Sequence, residues 1–404
     1  MKISALSDYK YANNLYANKV KKQQCNFGSN DSNVKSTVIS GKETSARIYT
    51  GDMLDYKTMD QIKDLCNHPA FKDAPIRIMP DVHPSSNTIV GFSAPVVNGK
   101  VIPSIIGGDI GCGMLCVKID TQGQDIDYAK LDDVVKTYAS VKKTRIPQAL
   151  KRVPKALQKD LHNLCKKLYN ISADEQFQNL GTIGGGNHFV EIDSDKNGQK
   201  YLIIHSGSRT LGKKVADRHE YIARHTNHYH KKELSYLTGD ELKEYMQDMR
   251  IAQEYAKANR RVIADEILYR MGWKEKSSFE SVHNYIDDKG ILRKGAIAAE
   301  LGRDLLIPLN MRDGVVLAKG KGNPEWNNTA PHGAGRKVAR GEAHKTLSYE
   351  KFVSSMDGIY TSCVRPDTLD EAPDAYKNAD DIIENISETA DIIEVVKPVY
   401  NYKD

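Results

Sequence analysis

Gly107-Gly108-Asp109-Ile110-Gly111-Cys112-Gly113-Met114 sets a carboxylate and a thiol three residues apart among four glycines. Glycine accepts backbone angles and close approaches that are closed to other residues. The β-rich run Val101-Ile102-Pro103-Ser104-Ile105-Ile106 leads directly into it. The stretch therefore reads as a strand opening into a glycine turn that presents half of a metal site. Taken alone, it fits better as a tight turn around a buried, inert thiol. Its company elsewhere in the chain tips the balance.

Of 404 residues, 40% are hydrophobic, enough to bury a full core. The formal net charge of +5 permits a polyanionic partner without demanding one. Six cysteines (Cys25, Cys66, Cys112, Cys116, Cys165 and Cys363) are scattered with no CxxC pair. They read as reduced thiols, one or more free to bind metal. The N-terminus carries no apolar signal core, and no run approaches the length of a membrane span. The expectation is a soluble, cytoplasmic protein.

Residues 1–45 are polar and read as an appendage, with 46–404 as the main domain. Met59, Ile62, Leu65 and Cys66 have helical spacing, and Ile76–Met79 reads as a short strand that ends at Pro80, leaving Asp81 and His83 at its tip. From Asp125 to Asn170 the chain reads as helical and basic. Leu157, Leu161, Leu164 and Leu168 share one face, while Lys155, Lys159 and Lys166 fall within about 40° of each other on the opposite one. Such a stripe is more commonly a solvated face than an RNA contact. Leu180–Ile192 reads as a glycine turn feeding a strand, and Tyr201–Ile204 as another strand ending in His205-Ser206-Gly207-Ser208-Arg209. Thr238 and Glu241 form a capping-box pattern that opens a long helix stopping at Gly272. Helices and strands mix without regular alternation, which predicts an α+β fold and disfavours a doubly wound sheet or barrel.

Strand ends and turns deliver the metal-type ligands Asp109, Cys112, His188 and His205, and His283 follows the long helix. The set suits one or two divalent first-row ions, and a thiolate can bridge two. By ligand softness alone it would take zinc or iron. His219, His225, His228 and His230 look metal-like but lie on a polar, lysine-flanked stretch and read as surface. In His332-Gly333-Ala334-Gly335-Arg336 the small residues let a phosphate approach both the imidazole and backbone N–H groups, which suits nucleophilic catalysis. Ser206, Ser208 and Arg209 offer a second oxyanion pocket beside His205.

The strings Met79-Pro80-Asp81-Val82-His83, Gly108–Met114, Gly185-Gly186-Asn187-His188-Phe189, His205–Arg209, His283-Asn284-Tyr285, Arg293-Lys294-Gly295-Ala296 and His332–Arg336, in that order, closely resemble the RtcB family of RNA ligases. The resemblance covers about Ala46 to the C-terminus. It implies one large catalytic domain and a GTP- and Mn²⁺-dependent ligase joining 2′,3′-cyclic-phosphate or 3′-phosphate RNA ends to 5′-hydroxyl ends. It also implies that Asp109, Cys112, His188, His205 and His283 hold two Mn²⁺ ions, the Cys112 thiolate shared between them, and that His332 takes GMP from GTP. Asn187, Phe189, Glu191, Ala334, Gly335, Tyr376 and Lys403 would then line the nucleotide site, and Arg209 would hold a phosphate of the RNA end. RNA repair and tRNA splicing are the roles it suggests, and it raises an archease-type activator as a partner.

Three segments depart from the family pattern. A Gly-Lys-Gly-type turn is replaced by Pro84-Ser85-Ser86-Asn87-Thr88. Pro-Gly-Ser-Met-Gly becomes Pro308-Leu309-Asn310-Met311-Arg312, and a Ser-Arg-Thr-Lys string becomes Ala339-Arg340-Gly341-Glu342. The metal and nucleophile set is intact, so a ligase remains the leading reading. Its competitors are a metal-dependent phosphoesterase or nuclease without nucleotide activation, and a non-catalytic RNA-binding paralogue.

Overall fold

A computed structural model of the chain describes residues 36–51, 53–140 and 149–403. Cys25 and most of the polar 1–45 segment lie outside the described residues. In chain order the strands are β1 Thr37–Ser40, β2 Ser45–Ile48, β3 Ile76–Pro84, β4 Ile89–Pro95, β5 Gly113–Asp120, β6 Phe189–Ser194, β7 Lys200–Ser206 and β8 Lys274–Val282. They continue as β9 Asn284–Ile286, β10 Ile291–Lys294, β11 Ala296–Ala298, β12 Asp304–Asn310, β13 Gly314–Gly320, β14 Thr329–Pro331, β15 Tyr360–Thr361 and β16 Ala390–Tyr402.

Period-two alternation along β5, β6 and β7 builds the larger sheet, ordered β12-β13-β16-β6-β7-β5-β8 with β15 beside β16. One face gathers Met114, Cys116, Phe189, Ile203, Leu306, Val315, Leu317 and Val396 into a single cluster. The other face, with Leu115, Val117, Val190, Ile192, Leu202 and Ile204, packs on the helices Tyr128–Tyr138 and Gly239–Met271. The sheet curls so that β8 comes back to within 8 Å of β12, yet the two edges do not pair. The second sheet, β1-β2-β3-β4-β10-β9, packs against the helices Tyr56–Cys66, Lys155–Cys165, Arg209–Thr226 and Gly239–Met271. β1 belongs to it as a hairpin with β2, from Thr37 opposite Ile48 to Ser40 opposite Ser45. A β11–β14 pair completes an α+β architecture.

Several local expectations change in the fold. Pro103–Ile106 is a helical turn, and of the predicted strand only Val101 bridges, to Leu237. Proline at the first helical position loses no bond that the turn needs. β3 does not stop at Pro80 but runs to Pro84, with its register against β4 shifting between Ile78 and His83. That irregularity removes the ladder bond proline cannot make. Thr238 precedes the Gly239–Met271 helix but makes no side-chain cap bond, while Gly272 ends it at φ 73° as expected. His219 is fully buried, its Nε2 2.9 Å from the buried Asp248 carboxylate, because it lies on the inward face of the Arg209–Thr226 helix. The lysine stripe is exposed opposite the buried Leu157, Leu161, Leu164 and Leu168. Among the described residues no helix is long and apolar enough to cross a membrane.

Candidate active site

In an antiparallel sheet the start of one strand lies beside the end of the next. Gly113 therefore pairs with Ser206 on one side and Val282 on the other, and Phe189 pairs with His205. Cys112, His188, His205 and His283 consequently converge at one end of the curled sheet, although up to 171 residues separate them in sequence. Their donors form a chain with short gaps. Asp109 Oδ2 lies 3.1 Å from His188 Nε2, which is 3.3 Å from Cys112 Sγ. Cys112 Sγ lies 3.2 Å from His205 Nε2, and that atom 3.4 Å from His283 Nε2.

Nitrogen and sulfur ligands about 2.0–2.3 Å from one ion stand about 3–3.7 Å apart, so these gaps fit a bound cation. Cys112, His188 and His205 are buried and form the tightest group. Burial pushes the His205 and His283 imidazoles well below their ordinary range, keeping them in the neutral form that ligates. Burial works against the Asp109 charge, but the charge and hydrogen bond of His188 outweigh it and hold the carboxyl well below the usual carboxylate range. Burial and the Asp109 carboxylate push the Cys112 thiol up, and metal binding would displace its proton. His205 Nδ1 bonds to the Asn187 carbonyl at 3.0 Å, which turns Nε2 towards the other donors. Gly207 permits the crowding, since a Cβ there would stand 1.9 Å from Asp109 Oδ1.

His332 follows β14, its ring centroid 4.7 Å from that of His283 at the end of the donor chain. Asp81, fully buried on β3, accepts from the His332 backbone N–H at 3.1 Å and lies 2.6 Å from Nδ1. That bond leaves Nε2 as the ring nitrogen available to a substrate. Gly335, at φ 75°, lets the turn press onto β3, because a Cβ there would meet the Asp81 carbonyl oxygen at 2.4 Å.

A cavity of about 320 Å³ joins the two groups. Asp109, Cys112, His205, His283 and His332 line it together with Asn187, Phe189, Glu191, Ala334, Gly335, Tyr376 and Lys403. Arg209 does not reach its wall; it stands behind His188, with Nη1 3.5 Å from Nδ1. Ser206 spends its hydroxyl on the Thr182 and Ile183 carbonyls, so the predicted second oxyanion pocket does not form around it. The altered Pro308–Met311 segment also lines the cavity, and its Asn310 amide is engaged within its own turn with Arg312 and Asp313.

Several wall and supporting residues have no role assigned by the sequence alone, although Lys294 stands in the Arg293-Lys294-Gly295-Ala296 string. Lys294 reaches the cavity wall and donates to the Ile106 carbonyl at 2.9 Å. Asn401, opposite Glu191 in the β16–β6 register, donates to its carboxylate at 2.9 Å. Behind the ligand turns, buried Arg260 donates to the Gly111 and Ser206 carbonyls, each at 2.9 Å, and pairs with Glu280 at 3.0 Å. Asp81 was visible as a polar residue beside a proline, but its partner lies 251 residues away, beyond any local pattern.

Comparison with known proteins agrees with the motif reading. The profile of the family described as tRNA-splicing ligase RtcB matches residues 61–178 and 162–404. The RNA-splicing ligase RtcB of Escherichia coli strain K12 is 27% identical over 366 residues, covering 80% of this chain and 88% of the relative. An RNA-splicing ligase RtcB2 from another Escherichia coli strain is 29% identical over 362 residues, covering 81% and 87%. The tRNA-splicing ligase RtcB of Aeropyrum pernix is 24% identical over 396 residues, covering 75% and 82%.

Proposed function

The chain belongs to the RtcB family, and from that premise we propose that it is a GTP- and Mn²⁺-dependent RNA ligase joining 2′,3′-cyclic-phosphate or 3′-phosphate ends to 5′-hydroxyl ends. The observation that carries this reading is the contact of buried Asp81 with half-buried His332, set against the last of the metal-type donors.

With Nδ1–H bonded to Asp81, the His332 Nε2 lone pair is free to attack the α-phosphorus of GTP. A P–N bond forms, pyrophosphate leaves, and the buried carboxylate balances the charge gained by the ring. A 2′,3′-cyclic end is first opened by water, which breaks the P–O2′ bond and leaves a 3′-phosphate. The GMP then passes to that 3′-phosphate, giving an RNA-3′-pp-5′-G end, and attack by the 5′-hydroxyl expels GMP. Asp109, Cys112, His188, His205 and His283 would hold two Mn²⁺ ions, and the central position of Cys112 in the donor chain supports a shared thiolate. When bound, these ions supply positive charge to phosphate oxygens. Asn187, Phe189, Glu191, Ala334, Gly335, Tyr376 and Lys403 would bind the guanine nucleotide, a role supported by their sharing one cavity. Arg209 would hold an RNA phosphate beside His188. We assign catalysis to residues 46–404, with 1–45 as an appendage whose Thr37–Ser40 strand joins the edge of the second sheet, and the setting to cytoplasmic RNA repair or tRNA splicing.

Incubation with α-labelled GTP and Mn²⁺, with and without an archease-type activator, tests the reading. The wild type should take covalent label and His332→Ala none, while the variant still seals RNA supplied with a preformed 3′-guanylylated end. Label on His332→Ala would place the nucleophile elsewhere. RNA cleavage without label would favour a phosphoesterase.

A further inference from the structure

One carboxylate stands at the meeting point of side chains that serve two cavities. Glu371, 3% exposed, accepts at Oε2 from the Tyr376 hydroxyl at 2.6 Å and from the Lys403 ammonium. Its Oε1 lies 3.3 Å from Arg336 Nη1 and 2.5 Å from Arg340 Nη1. Tyr376 and Lys403 face the catalytic cavity, and the Lys403 ammonium lies 5.5 Å from the centre of the Phe189 ring. Arg336 and Arg340 line that cavity and also a neighbouring one of about 950 Å³, on whose wall Lys337 and Lys377 stand. Glu371 itself lines neither. It touches no ligand-facing space, so its effect on ligands passes through the four groups it holds.

Burial works against the charge of Glu371, but Lys403 and Arg340, with the hydrogen bonds of Lys403 and Tyr376, outweigh it and hold its pKa down to about 2. Three cations and a phenol therefore share one permanent anion, helped by Asp370, which receives Arg340 on its carboxylate and Arg336 on its backbone carbonyl. Without that anion the hydroxyl and the ammonium lose their acceptor, and the three cations repel one another in a poorly solvated space.

We propose that Glu371 is a positioning residue that holds Tyr376 and Lys403 for the guanine nucleotide and Arg336 and Arg340 for RNA phosphates, so that one carboxylate sets the affinity for both. The inference rests on the reading of the cavity as a GTP and RNA site. It makes the two affinities fall together when the charge is removed, which separate structural defects in the two cavities would not do.

The test uses the full chain with Glu371→Gln, which keeps the shape and loses the charge, and Glu371→Asp, which keeps the charge. Glu371→Gln should raise the GTP concentration for half-maximal self-guanylylation about tenfold or more and weaken a 3′-phosphate oligoribonucleotide by a similar factor. Its maximal guanylylation rate should stay within about threefold of wild type, because the nucleophile and its Asp81 partner are untouched. Glu371→Asp should recover most of both losses. If Glu371→Gln does not fold, Glu371→Asp alone decides, with small parallel shifts in both affinities expected. A shift in only one affinity, or a fall in maximal rate alone, overturns the proposal. Wild-type protein that takes no label sinks the ligase reading and this inference with it. Labelled wild type with an indistinguishable Glu371→Gln sinks only the role of Glu371.

Discussion

Glu191 shows how burial moves the working range of a residue against the groups that stabilise its charge. Burial raises its pKa to about 7 against the Asn401 hydrogen bond and the Lys403 charge, which lower it. The folded chain thus holds this proton more tightly than an unfolded one, where a glutamate releases it near 4.5. Ionising Glu191 therefore costs stability as pH rises from 4.5 through 7, and a ligand that donates N–H groups to the carboxylate offsets that cost. Guanine presents such donors on its N1 and N2 edge, and only the ionised carboxylate can accept both. The half-saturating GTP concentration in self-guanylylation should fall as pH rises through 7, less steeply than for an isolated group because the buried Asp193 carboxyl shares the titration. In Glu191→Gln it should be higher throughout and nearly flat with pH. An unchanged slope in that variant would assign the titration to another group.

Among the elements, the Gly239–Met271 helix does more than cover the sheet. Asn259, fully buried on it, accepts at Oδ1 from Gly181 N–H at 2.7 Å and Thr182 N–H at 3.1 Å. Its Nδ2 donates to the Thr182 carbonyl at 2.8 Å and the Ser206 hydroxyl at 2.9 Å. With Arg260 beside it, this one helical turn ties down the loop leading to His188, the turn that carries Cys112 and the end of the strand that carries His205. Asn259→Ala strands buried donors, each unpaired group costing about 1–3 kcal/mol. Urea unfolding should show a loss of at least about 2 kcal/mol, with weaker metal retention by the folded protein. A change below about 0.5 kcal/mol would mean that the loops hold their own shape.

For the whole molecule, the question is how far RNA contact extends beyond the cavity. The exposed Lys155, Lys159 and Lys166 face lies outside the cavity walls. Reversing these three charges should weaken RNA binding and lower the slope of log affinity against log salt by about 2, as three single-strand phosphate contacts are lost. Unchanged affinity and slope would make the face a solvated one. The same long-range geometry separates what could be read in the sequence from what could not. Glycine turns, donor types and strand periodicity are set by neighbours in the chain, so Asp109, Cys112, His188, His205, His283 and His332 could be singled out as candidates without a fold. The exposed lysine face and the Gly272 stop were legible for the same reason. The opposite holds for Asp81 against His332, Glu371 among its four partners, Asn259 under two loops, and His219 buried on Asp248. Each of these depends on which strand pairs with which and on which helix face turns inward. Those choices are made by burying apolar surface across the whole chain, and no local stretch of sequence carries that sum.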